Sequence, residues 1–192
     1  MRVLIVTVAC AILAACSSSE PTFRSTDITG ANYGGELRLT DTAGKVRTLA
    51  DFHGKVVALF FGYTFCPDVC PTTLGEMKSV LARLGDDAKK VQVIFVTVDP
   101  ERDTPELLAK YVTAFDPGFI GLYGDREATA EAAKSFRVFY EKVPGSSPKT
   151  YSINHTAGTY LIDPQGRLRL FVRYGQDVDA IAGDIRLLLQ GK

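Results

Sequence analysis

The run from Lys55 to Phe61 carries no polar residue after its first. A strand with one wet face alternates polar and apolar side chains, so a run without alternation belongs to a strand covered on both faces, as in helix-flanked parallel sheets. The period then changes. Leu74, Met77, Leu81 and Leu84 recur at helical spacing and predict an amphipathic helix from Pro71 to about Leu84. Val91 to Val98 reads as a second buried strand, ended by Asp99-Pro100. The centre of the chain is thus a β-α-β unit.

The flanks extend this unit on both sides. Glu36 to Thr40 and Val46 to Leu49 enclose Asp41-Thr42-Ala43-Gly44, a hairpin with a glycine-containing turn. Glu101 to Pro105 leads into a helix ending near Phe115, with Thr104 or Asp103 as cap and Pro105 in its first turn. Phe119 to Tyr123 reads as a short strand, and Asp125 caps a helix from Arg126 to Phe136. Val138 to Lys142 reads as extended and Pro144 to Ser152 as a polar loop. Gly158 to Ile162 and Leu168 to Arg173 form an antiparallel hairpin through Asp163-Pro164-Gln165-Gly166, followed by a helix from about Val178 to Leu189. This order predicts an α/β, thioredoxin-like fold with an N-terminal β-hairpin extension.

The N-terminus addresses the compartment. Arg2, the apolar run Val3 to Leu13, and Ala14-Ala15 before Cys16 read as a secretory signal. The run is too short to cross a bilayer as a stable helix. Its ending, Leu13-Ala14-Ala15-Cys16, resembles the bacterial lipoprotein signal, which implies lipidation of Cys16 and attachment to a membrane in the cell envelope, facing the periplasm. An ordinary secretory signal cleaved near Ala15 is the alternative. On this reading residues 1–15 are the signal, residues 16–35, rich in Ser, Thr, Gly and Asn, are a flexible tether, and residues 36–192 are one domain. The 22 Lys and Arg balance 22 Asp and Glu, which leaves no basic footprint for nucleic acid.

Four cysteines occur, at 10, 16, 66 and 70. Cys10 leaves with the signal and Cys16 takes the lipid, so the mature domain keeps one close pair. In an exported protein such a pair is a disulfide, a metal site, or both in turn. Cys66-Pro67-Asp68-Val69-Cys70-Pro71 sits where the first buried strand gives way to a helix. Pro71 suits the first position of that helix and makes Cys70 the expected cap. The amides and positive dipole end there favour a thiolate. Three intervening residues, against two in thioredoxin-type oxidoreductases, let both sulfurs turn outward to a common ion. No Lys, Arg or His stands in the loop to stabilise a lone thiolate.

Two imidazoles are available. His53 lies in a turn before the first buried strand and reads as a solvated loop residue. His155 precedes the Gly158 strand, in the segment that approaches the cysteine loop in a thioredoxin-like domain. Cys66, Cys70 and His155 form a soft donor set: two thiolates satisfy Cu(I), and an added imidazole accommodates Cu(II). Zinc takes the same donors, usually with a fourth ligand. Met77, at helical spacing with Leu74 and Leu81, reads as core rather than ligand. Asp99 reads either as a carboxylate in the outer shell of the site or as the residue that ends its strand.

Three separated motifs carry a resemblance: Phe61-Gly62-Tyr63-Thr64-Phe65-Cys66-Pro67-Asp68-Val69-Cys70-Pro71, Val98-Asp99-Pro100-Glu101-Arg102-Asp103-Thr104, and His155-Thr156 with Tyr160-Leu161-Ile162-Asp163-Pro164. In that order, over about residues 36 to 190, the chain resembles the Sco (SenC-like) copper chaperones. The resemblance implies copper held by Cys66, Cys70 and His155, and its delivery, or delivery of electrons, to the dinuclear copper centre of cytochrome c oxidase subunit II. Asn154 departs from relatives with an acid before the histidine. Two functions follow from different classes. One is a metallochaperone that hands copper on by ligand exchange, without turning over a small-molecule substrate. The other is a thiol-disulfide reductase, with Cys66 and Cys70 as a redox-active pair, that keeps an acceptor's cysteines reduced.

Overall fold

The computed structural model describes residues 22–146 and 150–192. The expected signal peptide and Cys16 lie outside the described residues. Two buried parallel strands, β4 (Val56–Gly62) and β5 (Val91–Thr97), form the centre, and every residue in both is buried. Their register runs from Val56 opposite Val91 to Gly62 opposite Thr97. Helix α1 (Val69–Leu84) connects them. Its apolar stripe supplies Leu74, Met77 and Val80 to the core, so Met77 is a packing residue.

Strand β6 (Ile120–Tyr123) extends the parallel pairing, after helix α2 (Pro105–Thr113). Thr104 caps α2, its hydroxyl accepting from the Leu107 amide at 3.2 Å, with Pro105 at the first helical position. Helix α3 (Arg126–Ser135) starts at Asp125, whose carboxylate accepts from the Ala128 amide at 2.8 Å. The hairpin of β2 (Arg38–Asp41) and β3 (Val46–Thr48) joins the sheet edge through β2 and β6. On the other side, β9 (Thr159–Ile162) runs antiparallel to β4, and β10 (Leu168–Val172) follows it. Helix α4 (Val178–Leu189) packs against α1. The eight-stranded order is β1-β10-β9-β4-β5-β6-β2-β3, with β1 at Thr26–Asp27. Among the described residues no helix is long and apolar enough to cross a membrane.

The aromatic core explains why this arrangement closes. Phe60, Phe61, Phe95 and Phe136 are almost wholly buried. Phe61 meets Phe136 at 5.6 Å and Phe136 meets Tyr160 at 5.5 Å between ring centroids. The Tyr160 hydroxyl donates to the Phe136 carbonyl at 2.7 Å, so its one polar atom is satisfied. Each such side chain removed from water contributes roughly 2 kcal/mol.

Two expectations change. The segment read as a tether is docked from Arg24 onward. The amides of Arg24 and Ser25 donate to the Asp184 carboxylate on α4 at 2.9 and 2.7 Å, and Thr26–Asp27 pairs with β10. Farther on, the Gly34 amide donates to the Ser135 carbonyl at 2.6 Å and the Arg137 guanidinium lies 4.4 Å from the Tyr33 ring centroid. A polar composition suggested a linker because these bonds come from the backbone and from one carboxylate 159 residues away. The loop read from Pro144 to Ser152 is also shorter at its end. Ser152–His155 is strand β8, paired with β7 (Tyr140–Val143) in a separate two-stranded sheet. Only Ile153 of that strand is buried, so its sequence pattern is too brief to register as a strand.

Candidate metal centre

Three segments meet at the C-terminal end of β4. The first is the strand end itself. A methyl group at Gly62 would lie 2.7 Å from the Cys70 sulfur and 2.9 Å from the Phe95 ring. Only glycine lets the backbone run against that sulfur. The Val98 amide donates to the Gly62 carbonyl at 2.8 Å, which closes the ladder beyond the last β5 residue.

The second segment is the cysteine loop. Helix α1 begins at Val69, with Asp68 in the capping position, so Cys70 lies inside the first turn and is not the cap. The amides of a first turn have no intrahelical acceptor, so Pro71 fits there at no cost in hydrogen bonds. The Cys70 amide is instead used by sulfur: it donates to Cys66 Sγ at 3.5 Å. The two thiols are therefore unequal. Cys66 is partly exposed, and its thiol is held well below the ordinary range, first by the hydrogen bond from the Cys70 thiol and then by the Asp68 and Cys70 amides. Cys70 is fully buried, and its thiol is pushed up by the bond to Cys66 and by burial. The two sulfurs do converge on a common point, within 4.8 Å of each other and of the His155 ring nitrogen, but they are not equally outward: Cys66 is partly exposed and Cys70 is buried.

A carboxylate pins this loop to the neighbouring strand. Asp103 accepts from the Thr64 amide at 3.0 Å, from the Thr64 hydroxyl at 2.6 Å and from the Thr97 hydroxyl at 2.6 Å. Burial raises its pKa, which these bonds oppose.

The third segment is β8, which ends on His155. Its Nε2 lies 3.4 Å from Cys70 Sγ, and its Nδ1 lies 3.0 Å from the Thr156 carbonyl. A carbonyl only accepts, so Nδ1 carries the proton and the Nε2 lone pair faces the sulfurs. The ring is held edge-on by Tyr63 at 6.0 Å and Phe60 at 5.9 Å. The Tyr63 hydroxyl also accepts from the Ile153 amide at 3.2 Å, which ties β8 to the residue after β4. The donor atoms of Cys66, Cys70 and His155 all lie within 4.8 Å of one another, the one such group of metal-type donors among the described residues.

The other candidates sit elsewhere. His53 follows the turn before β4, beside Gly166 in the β9–β10 turn, at the opposite end of the strand from the cysteines. Asp99 is fully buried and touches neither thiol nor imidazole. It pairs with Arg102 at 2.5 Å and accepts from the Tyr151 hydroxyl at 2.6 Å. Burial and that carboxylate push the Tyr151 phenol up to about 12. The sequence reading did not single out Tyr63, Arg102 or Tyr151. Tyr63 and Arg102 stood only as members of the family motifs, and the local signal for a role of Arg102 was its place three residues after Asp99.

The sequence fits one family along most of its length. The family model for SCO1/SenC matches residues 25–190. The mitochondrial SCO2 homolog of Bos taurus is 37% identical over 154 residues, 79% of this chain and 58% of that protein. The chain thus spans less than two thirds of that relative's length. The ScoI structure from Bradyrhizobium japonicum with copper bound is 43% identical, with TM-score 0.75 over 81% of this chain and 99% of that one. The apo Sco1 solution structure from Thermus thermophilus is 41% identical, with TM-score 0.78 over 88% and 99%. A thioredoxin-like sheet with Cys66, Cys70 and His155 gathered at one strand end, matched over residues 25–190, makes this chain a member of the SCO1/SenC family.

Proposed function

We propose that this protein is a copper metallochaperone that takes the ion between Cys66, Cys70 and His155 and passes it on by ligand exchange. The observation that carries the reading is the convergence of two sulfurs and one Nε2 within 4.8 Å, with the imidazole lone pair already turned inward. Two thiolates give Cu(I) its preferred soft, low-coordinate environment, and the imidazole adds the donor that Cu(II) requires. Zinc favours four ligands, and this group offers three. Partial exposure of Cys66 suits transfer, because an incoming thiolate reaches the ion from that side while Cys70 and His155 hold it from within.

The acceptor in this reading is the dinuclear copper centre of cytochrome c oxidase subunit II, supported by the family's three motifs. Cys16, lipidated after removal of residues 1–15, would hold the domain at a membrane on the periplasmic side of a bacterial envelope, as the sequence before it suggests. A second reading, thiol-disulfide reduction of the acceptor's cysteines, is favoured by one observation: a partly exposed Cys66, its thiol pKa held low, beside a buried Cys70, its thiol pKa pushed up. Anaerobic titration of the reduced domain with Cu(I), Cu(II) and Zn(II), followed by mixing with the reduced acceptor domain, separates the two. Stoichiometric copper uptake and its transfer support the chaperone. Disulfide exchange without copper uptake rejects it.

A further inference from the structure

The metal donors come from two different sheets. Cys66 and Cys70 follow β4 of the main sheet, whereas His155 closes β8 of the small one. Besides the Tyr63 and Phe60 contacts with β8 and the Lys142–Glu101 ion pair at 2.6 Å, one nearly buried side chain spans this division, Arg102. Its guanidinium carbon lies 3.5 Å from the ring centroid of Tyr151, the residue before β8, and 4.8 Å from that of Phe65, the residue before Cys66. Its Nη1 donates to the Tyr151 carbonyl at 2.8 Å and its Nε to Asp99 at 2.5 Å. The second Asp99 oxygen takes the Tyr151 hydroxyl, so carboxylate, guanidinium and phenol close a ring of contacts with Arg102 only 15% exposed. Lys142 on β7 adds a second cation 4.7 Å from the same tyrosine ring.

We infer that Arg102 is a positioning residue that sets the distance between His155 and the cysteine pair by clamping the β7–β8 hairpin to the cysteine loop through Tyr151 and Phe65. This rests on the copper reading above for its consequence and on the contacts of Arg102 for its cause. A guanidinium suits the task because it is planar, stacks on aromatic faces and donates in fixed directions, whereas an ammonium does neither of the first two. Cu(I) needs chiefly the two thiolates, which belong to one loop. Cu(II) needs the imidazole as well, so loss of the clamp weakens the two ions unequally.

The test uses Arg102→Gln, with Arg102→Lys and Tyr151→Leu as companions, the last leaving the Arg102–Asp99 pair in place. In the metal-free protein, amide hydrogen exchange in residues 152–156 is expected to rise by about tenfold or more in Arg102→Gln and Tyr151→Leu, while β4, β5 and α1 exchange as in the wild type. On titration, Cu(II) affinity is expected to fall by roughly tenfold or more, with loss of the thiolate charge-transfer band, and Cu(I) affinity to change by less than about threefold. Arg102→Lys is expected to behave as Arg102→Gln. Unchanged exchange in residues 152–156, a uniform rise across the whole domain, or equal loss of both ions overturns the assignment. Failure of the wild type to bind copper rejects the chaperone reading, and the exchange measurement then decides the clamp alone.

Discussion

His155 Nε2 lies 3.4 Å from Cys70 Sγ, although 85 positions separate the two residues in the chain. The imidazole reaches the sulfur because β9, which begins four residues beyond His155, pairs antiparallel with β4, the strand that leads into the cysteine loop. Each functional consequence depends on that approach.

The thiol pair is asymmetric, and alkylation reports it. Cys66 keeps its thiolate far below the ordinary thiol pKa, so a short iodoacetamide pulse at about pH 6 is expected to label Cys66 and spare Cys70. A depressed folded pKa stabilises the reduced fold fully above the unfolded thiol value, and this contribution declines as pH falls toward the folded value. Peptide mass spectrometry checks the labelling; equal modification of both cysteines in the native state would refute the asymmetry.

Gly62→Ala tests the tight floor of the site. Its methyl would stand 2.7 Å from Cys70 Sγ and 2.9 Å from Phe95, both enclosed. Overpacking of this kind costs about 1–3 kcal/mol. Urea unfolding is expected to show a lower midpoint with the slope unchanged, together with faster alkylation of Cys70 as its sulfur is displaced.

Asp184→Ala tests whether the segment after residue 23 belongs to the fold. Removing the carboxylate strands the Arg24 and Ser25 amides, a loss of about 1–3 kcal/mol. Limited proteolysis is expected to clip the variant between Arg24 and Asp27 while the rest of the domain resists. Resistance equal to the wild type would show that β1 is held by other contacts.

The main sheet was legible because its central strands are long, apolar and separated by a helix of clear period. The caps at Thr104 and Asp125 were legible for the same local reason: each bonds an amide three residues away. The cysteines and His155 stood out by chemistry, being scarce residue types at the ends of predicted elements. What could not be read was nonlocal or short. The docking of Arg24 and Ser25 depends on Asp184, the β8 pattern rests on the single buried Ile153, and the tie from Tyr63 to β8 is one bond across 90 residues. The start of α1 moved because a proline is tolerated throughout a first turn, so Pro71 marked the helix without fixing its first residue.

The central claim is that copper sits between Cys66, Cys70 and His155, and the most direct measurement is the Cu(II) spectrum of reduced His155→Ala beside that of His53→Ala. Both variants lose one imidazole, but only His155 faces the sulfurs. The account predicts that His155→Ala abolishes the thiolate charge-transfer absorption and weakens Cu(II) strongly while Cu(I) still binds through the thiolate pair, and that His53→Ala matches the wild type. A spectrum unchanged in His155→Ala and lost in His53→Ala would contradict it.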